Sequence, residues 1–170
     1  SELEARLATG GGAYDVVFPS DRAMQALLAK GLLQPLDHGK LKKLGNIDPQ
    51  WRNPRCDPGN IYSAAYFWGT VAVGIRPDKI TRPVTGFEVL FDPAYRGRIT
   101  MLDDADNVVA ATLLKLGLPM NSVAQQDLDA ARNALLAQKP LVQAYTSDAY
   151  KERLISGDAW TALGWSGDLI

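Results

Sequence analysis

The chain has 170 residues, 46% of them hydrophobic and 22% charged, which suffices for one ordinary core or two small lobes and excludes an intrinsically disordered protein. A formal net charge of −1 provides no general field that would attract nucleic acid, and the richest basic run is "KLKK" at 40–43. We therefore expect no nucleic-acid partner.

The first elements that the pattern predicts are a short amphipathic helix over the first ten residues, a buried strand and a second helix. "YDVVF" at 14–18 is typical of a strand, and Pro19 prevents it from continuing as a central one. Ser20 or Asp21 can cap the helix "RAMQALLAKG", which Gly31 ends. This order indicates an α/β fold.

The polar stretch at 37–60 is predicted to be mainly loop, and it contains the only histidine and the only cysteine. His38, in "LDHGK", is expected in a solvated turn, and Cys56, in "NPRCDPGN", is expected to be a structural or incidental thiol. A single cysteine can form neither an internal disulfide nor a cysteine-type zinc site. We therefore expect no catalytic residue and no metal here.

Aromatic and β-branched residues gather in "IYSAAYFWGTVAVGIRP", which predicts an extended segment. Gly69 interrupts this segment between Trp68 and Thr70, and an isolated glycine in a strand pattern indicates a bend. We expect the chain to pass there from one lobe to the other.

The second half alternates strands with helices. The predicted strands lie in "RITML", "LVQAYTSD" and "AWTALGWSGD", and the predicted helices in "DDADNVVAATLLKLGL", "QQDLDAARNALLAQKP" and "AYKERLISGD". Asp103 or Asp104 is the natural N-cap of the first of these helices. This alternation favours a mostly parallel sheet covered by helices.

Polar or aromatic turns follow four predicted strands, and ligands of open α/β sheets bind outside the carboxyl ends of strands. These turns read "FPSD" at 18–21, "LDDADN" at 102–107, "YTSD" at 145–148 and "GWSGD" at 164–168. In the alternative interpretation, the aspartates at 103, 104 and 106 and Ser20 only cap helices, and Trp165 only packs in a core. The turns therefore indicate a ligand site without identifying its ligand.

The order of the motifs resembles the polyamine-binding proteins of ABC importers, the spermidine and putrescine receptors of the bacterial periplasm. The resemblance covers nearly the whole chain and rests on "YDVVFPSD", "KGLLQPLD", "DPGNIYSAAYFWGTVAVGI", "FDPAYRGRITMLDDADNV" and "YTSDAYKERLISGDAWTALGWSGD". It implies a two-lobed α/β fold of the periplasmic-binding-protein type with mostly parallel sheets, present here as an incomplete segment. Residues 1–69 would form part of the first lobe and residues 70–170 most of the second.

The resemblance also implies a periplasmic location and two partners, a small cationic polyamine ligand and the membrane permease of an ABC importer. Family members are roughly twice as long, so the chain is similar to their middle portion. Its start, "SELEARLATGGG", has no signal peptide, and we expect an excerpt of a longer protein. Apolar surface left exposed by missing segments would be a route to self-association.

Site residues carry over from the resemblance one by one. Asp104 and Asp168 match carboxylates that bind amines, and Trp165 matches the aromatic wall beside the ligand's carbon chain. Ser20 and Ser147 match polar contacts. Asn107 stands where the family usually has a glutamate, so the site has one negative charge fewer, and which polyamine or other amine it takes stays open.

The chemistry of these residue types agrees with a polyamine, whose ammonium groups need carboxylates and whose methylenes gain from aromatic faces. A receptor for another small solute is an alternative within the same class. An α/β hydrolase or transferase that uses Asp103, Asp104 and Asp168 for acid–base or metal work is a further alternative. Because the sequence has no histidine base near them, no phosphate loop and no nucleophile elbow, we expect no enzyme and no cofactor.

Overall fold

The computed structural model describes residues 2–9 and 14–169, and the fold divides into two compact units, Ser1–Trp68 and Gly69–Ile170. The helices are α1 Glu2–Ala8, α2 Asp21–Ala29, α3 Ala105–Lys115, α4 Gln125–Gln138, α5 Tyr150–Ser156 and α6 Ser166–Leu169. The strands are β1 Val71–Ile75, β2 Ile99–Met101, β3 Val142–Tyr145 and β4 Thr161–Trp165. The assignment of the units to lobes of a binding protein stays a prediction.

The first unit contains α2, which begins where the sequence predicts. Ser20 adopts an extended conformation and its hydroxyl oxygen accepts a hydrogen bond from the Ala23 amide at 3.3 Å, so it is the N-cap. Met24 and Leu27 are buried on one side of the helix, and Gly31 follows its end with a φ of +65°.

The predicted strand at 14–18 is wrong, because these residues form an irregular segment in the structure. Val16 and Phe18 are 69% and 72% exposed, although the pattern predicted burial. A strand exists only when a neighbour completes its hydrogen-bond ladder, and none of the described residues pairs with this segment as a strand. The apolar pattern therefore lacks the partner that would make it a strand.

A buried carboxylate organises the polar loop of the first unit. Asp57 is 2% exposed and accepts hydrogen bonds from the backbone amides of Ile61, Tyr62 and Ser63 at 2.8–3.1 Å, and from the Ser63 hydroxyl at 2.9 Å. These charge-assisted bonds offset the cost of burying the Asp57 carboxylate. His38 contributes to the same loop through a 2.8 Å hydrogen bond between its Nε2 and the Asn60 carbonyl.

The second unit is built on a four-stranded mixed sheet in the order β1-β4-β2-β3. Strand β2 runs parallel to both β3 and β4, as the α/β prediction requires, and β1 runs antiparallel to β4. The core of this unit lies between the sheet and the surrounding helices, and its fully buried members include Val89, Leu90, Ile99, Met101, Leu102, Tyr150 and Leu163.

Within residues 2–9 and 14–169, none of the helices combines the length and apolar character that a membrane crossing requires. The same residues contain no group of three or more histidine, cysteine, aspartate or glutamate side chains arranged to hold a metal ion.

Candidate functional site

Three parallel strands end at one edge of the sheet in the second unit, which we call the carboxyl edge. It is formed by the ends of β2, β3 and β4, the strands that precede Asp104, Ser147 and Asp168 respectively. Strand β1 runs the other way, so its first residue, Val71, pairs with Trp165 at this edge. The sheet topology therefore places these predicted site residues of the second unit at one edge, as open α/β sheets place ligands.

The stretch "GWSGD", predicted as a strand end and turn, is the end of β4 followed by one helical turn. Trp165 is the last residue of β4 and is half-buried against the core. The chain is fixed here by Ser166, whose amide donates to the Thr70 carbonyl at 2.8 Å. Helix α6 then carries Asp168 back towards the first residue of α5.

That residue is Tyr150, which sequence reasoning did not find. Its side chain is 0% exposed, and its hydroxyl donates a 2.6 Å hydrogen bond to Oδ2 of Asp168. The same hydroxyl oxygen accepts a 3.0 Å hydrogen bond from the backbone amide of Trp165. One buried hydroxyl therefore joins Trp165 and Asp168, which both belong to the predicted site.

The hydroxyl of Tyr150 is a proton donor at every pH near neutrality. Burial, followed by the hydrogen bond to the Asp168 carboxylate, raises the pKa of Tyr150 to about 12. Both causes disfavour the phenolate, the first because a charged group loses hydration and the second because two negative charges would meet. The Tyr150 hydroxyl therefore keeps its proton and donates it in the hydrogen bond to Asp168.

The second carboxylate oxygen of Asp168 faces a cation. Nζ of Lys151 lies 3.8 Å from Oδ1 of Asp168, and the Asp168 side chain is 43% exposed. An ion pair this exposed contributes at most about 1 kcal/mol, so another ammonium group can replace it at little cost. The two oxygens thus differ, since Oδ2 is held from inside the fold and Oδ1 is open to cations.

A groove of about 540 Å³ begins beside this carboxylate. Asp168 and Lys151 line it together with Gly74 and Ile75 of β1 and Leu154 of α5. Its lining also includes Arg76 and Asp78, so its walls combine two carboxylates and two cationic side chains with aliphatic ones. Trp165 and Asp104 are not among its lining residues. The groove therefore contains one of the predicted ligand contacts and not the whole predicted set.

Asp104, one of the two predicted candidates, is the N-cap of α3. Its Oδ1 accepts a 3.1 Å hydrogen bond from the backbone amide of Asn107, and both residues are half-buried. The helix dipole favours a negative charge at this position. Capping uses one carboxylate oxygen only, so the capping interpretation and the ligand interpretation of Asp104 are compatible.

The two serines predicted to contact the ligand differ in burial and in the unit to which they belong. Ser147 is half-buried between β3 and α5, where the neighbouring Thr146 hydroxyl oxygen accepts from the Ala149 amide at 3.1 Å. Ser20 belongs to the first unit, is exposed, and caps α2. A ligand contact by either serine stays a prediction.

The family model for bacterial extracellular solute-binding proteins matches residues 1–170. The chain is 34% identical over 157 residues to the spermidine/putrescine-binding periplasmic protein of Escherichia coli, covering 92% of this chain and 45% of that protein. It is 35% identical over 175 residues to the putrescine/cadaverine-binding protein of Pseudomonas aeruginosa, covering 99% of this chain and 49% of that protein.

Among solved structures, the chain is similar to a spermidine/putrescine ABC transporter substrate-binding protein of Streptococcus pneumoniae, with a TM-score of 0.76 and 28% identity. The match covers 99% of this chain and 52% of that one. The chain thus spans about half the length of the curated relatives it matches.

Proposed function

The chain belongs to the family of bacterial extracellular solute-binding proteins, and we propose that it serves in the capture of a putrescine- or spermidine-like polyamine for an ABC importer. The named relatives support this proposal, since they bind spermidine, putrescine or cadaverine. On the same basis we propose a periplasmic location and the importer's membrane permease as the partner. The relatives are binding proteins, so we infer transport rather than catalysis.

The observation that supports an amine ligand is the set of contacts made by the two carboxylate oxygens of Asp168. Its carboxylate is fixed by Tyr150 through Oδ2, while Oδ1 already faces the ammonium group of Lys151 at 3.8 Å. A primary ammonium group of a ligand has the same charge and the same donors as Lys151. We propose that the ligand's ammonium group binds Oδ1 of Asp168 in place of Lys151.

The other contacts follow from the same chemistry. The half-buried indole of Trp165 is proposed to lie against the methylenes, where apolar burial and cation–π attraction each contribute about 0.5 to 2 kcal/mol. Asp104 is proposed to bind a second ammonium group through the oxygen that does not cap α3. Asn107 offers an amide instead of a carboxylate, so it supplies a neutral contact.

The test is calorimetric titration of the full-length protein with putrescine, cadaverine and spermidine at one fixed salt concentration. If the full-length protein closes over the ligand and excludes water from this pair, we expect Asp168→Asn to weaken binding by about 2 to 5 kcal/mol, because the ligand's charge is then left buried without its partner. Trp165→Ala is expected to weaken binding by less than Asp168→Asn does. Asp103→Asn is the matched control, because it removes the same charge from an exposed carboxylate next to the site.

A further arm of the titration addresses selectivity. Asn107→Glu adds a carboxylate at the start of α3 and is expected to raise the affinity for spermidine relative to putrescine, since spermidine has the additional ammonium group. If Asp168→Asn binds all three amines as tightly as the parent protein and the Asp103→Asn control, the proposed site is refuted.

A further inference from the structure

Tyr150 contacts two residues to which the proposed function assigns ligand contacts, Asp168 and Trp165. The Tyr150 hydroxyl donates a hydrogen bond to Oδ2 of Asp168, with 2.6 Å between the two oxygens. The same hydroxyl oxygen accepts a hydrogen bond from the Trp165 amide at 3.0 Å. The position of the Asp168 carboxylate is thereby tied to the end of β4, on which Trp165 is carried.

The ring of Tyr150 is itself fixed, by Gly164. A Cβ atom at position 164 would lie 2.4 Å from Cε2 and 2.9 Å from Cδ2 of the ring, so only glycine leaves room for it. With the ring packed against the backbone of β4 and fully buried, the hydroxyl has one position. The donor that holds Asp168 is therefore preorganised.

We propose that Tyr150 is a positioning residue for amine recognition, which holds Oδ2 of Asp168 so that Oδ1 is presented to the ligand's ammonium group. This inference rests on the proposed function, because it needs Asp168 to bind an amine. A carboxylate held in place loses no rotamer freedom when the ligand arrives, whereas a carboxylate free to rotate does. Tyr150 itself is buried and does not touch the ligand.

A purely structural role for Tyr150, as an anchor that stabilises α6, makes a different prediction. An anchor would affect stability whatever the residue at position 168, and it would leave amine affinity unchanged once the protein is folded. A positioning role requires that the effect of Tyr150 on affinity depends on Asp168. The two roles are therefore separated by a double-mutant cycle measured on binding.

The experiment is calorimetric titration of the full-length protein with putrescine, for the parent, Tyr150→Phe, Asp168→Asn and the double variant. Tyr150→Phe keeps the ring against Gly164 and removes only the hydroxyl. Tyr95→Phe is the matched control, because Tyr95 is also buried and its hydroxyl accepts from Arg82 at 3.2 Å, while its ring packs on Trp160 at the opposite end of β4.

We expect Tyr150→Phe to weaken putrescine binding about three- to tenfold, because the released Asp168 side chain then loses rotamer freedom when the ligand binds. The double variant is expected to bind no more weakly than Asp168→Asn alone, and Tyr95→Phe to bind like the parent. Losses that multiply in the double variant, or an unchanged Kd in Tyr150→Phe, would overturn the inference and leave the proposed function standing. A parent protein that binds no amine would overturn both.

A second variant decides the matter if Tyr150→Phe does not fold. Asp168→Glu keeps the charge but moves the carboxylate by one methylene, out of register with the Tyr150 hydroxyl. If positioning matters, Asp168→Glu loses about tenfold or more in putrescine affinity. An Asp168→Glu variant with parental affinity would refute the inference, because it would show that charge without position suffices.

Discussion

Replacement of Gly164 by alanine tests how tightly the end of β4 packs on Tyr150. The new methyl group would lie 2.4, 2.9 and 3.0 Å from Cε2, Cδ2 and Cζ of the ring, where ordinary contacts begin at 3.4 Å. The ring must therefore move by about 1 Å, although it is fully buried and its hydroxyl makes two hydrogen bonds. Overpacking together with weakened hydrogen bonds predicts a loss of about 2 to 4 kcal/mol in the free energy of unfolding.

Urea unfolding of the full-length protein, followed by circular dichroism, measures this loss. Gly45→Ala is the control, because a methyl group there would have no neighbour within 4 Å. Gly164→Ala in a Tyr150→Leu background removes the ring atoms with which the methyl group collides, and we expect most of the extra cost to disappear there. The reasoning is refuted if Gly164→Ala costs the same with leucine as with tyrosine at position 150, or no more than Gly45→Ala.

Two further predictions concern the stability contributed by the buried Asp57 carboxylate and by the Tyr150 hydroxyl. Asp57→Asn replaces a buried acceptor of four hydrogen bonds with a weaker one, and we expect about 2 to 3 kcal/mol less stability and faster amide hydrogen exchange at Ile61, Tyr62 and Ser63. Asp48→Asn, in an exposed turn, is its control, and equal exchange in both variants would contradict the prediction. Because the pKa of Tyr150 is raised to about 12 from an ordinary 10.0, its contribution to stability is complete below pH 10.0 and is lost as the pH rises through 12. Tyr150→Phe should abolish this loss in alkaline unfolding curves, and a free energy of unfolding that falls equally in the parent and in Tyr150→Phe as the pH rises through 12 would refute it.

Features fixed by neighbouring residues were predictable from the sequence. The caps of α2 and α3 are local, since a side-chain oxygen of Ser20 or Asp104 bonds an amide on the next turn. The end of α5 is also local, because Gly157 adopts the left-handed conformation that glycine favours. The alternation of strands and helices then places the carboxylates at the carboxyl edge without further information.

Features that depend on distant residues were not predictable. The apolar pattern at 14–18 contains no information on whether a neighbouring strand exists, and among the described residues none pairs with it. Tyr150 was missed because its two partners lie on β4 and α6, and an aromatic residue at the start of a helix is ordinary. The one available signal was Gly164, an isolated glycine inside a strand pattern, which indicates a close approach of another group.

The two candidate carboxylates of the carboxyl edge are held in the same way, each by one oxygen. Oδ1 of Asp104 accepts from the Asn107 amide, and Oδ2 of Asp168 accepts from the Tyr150 hydroxyl. A flexible polyamine loses rotamer freedom when it binds, so a site whose carboxylates are already fixed adds less to that entropic cost. The donors differ, however, since the one at Asp104 is backbone and persists whatever residue occupies position 107, whereas the one at Asp168 is a side chain. If the proposed function holds, a substitution at position 107 changes the charge beside Asp104 without moving that carboxylate, and so changes ligand selectivity. A substitution at position 150 changes the position of the Asp168 carboxylate, and so changes affinity.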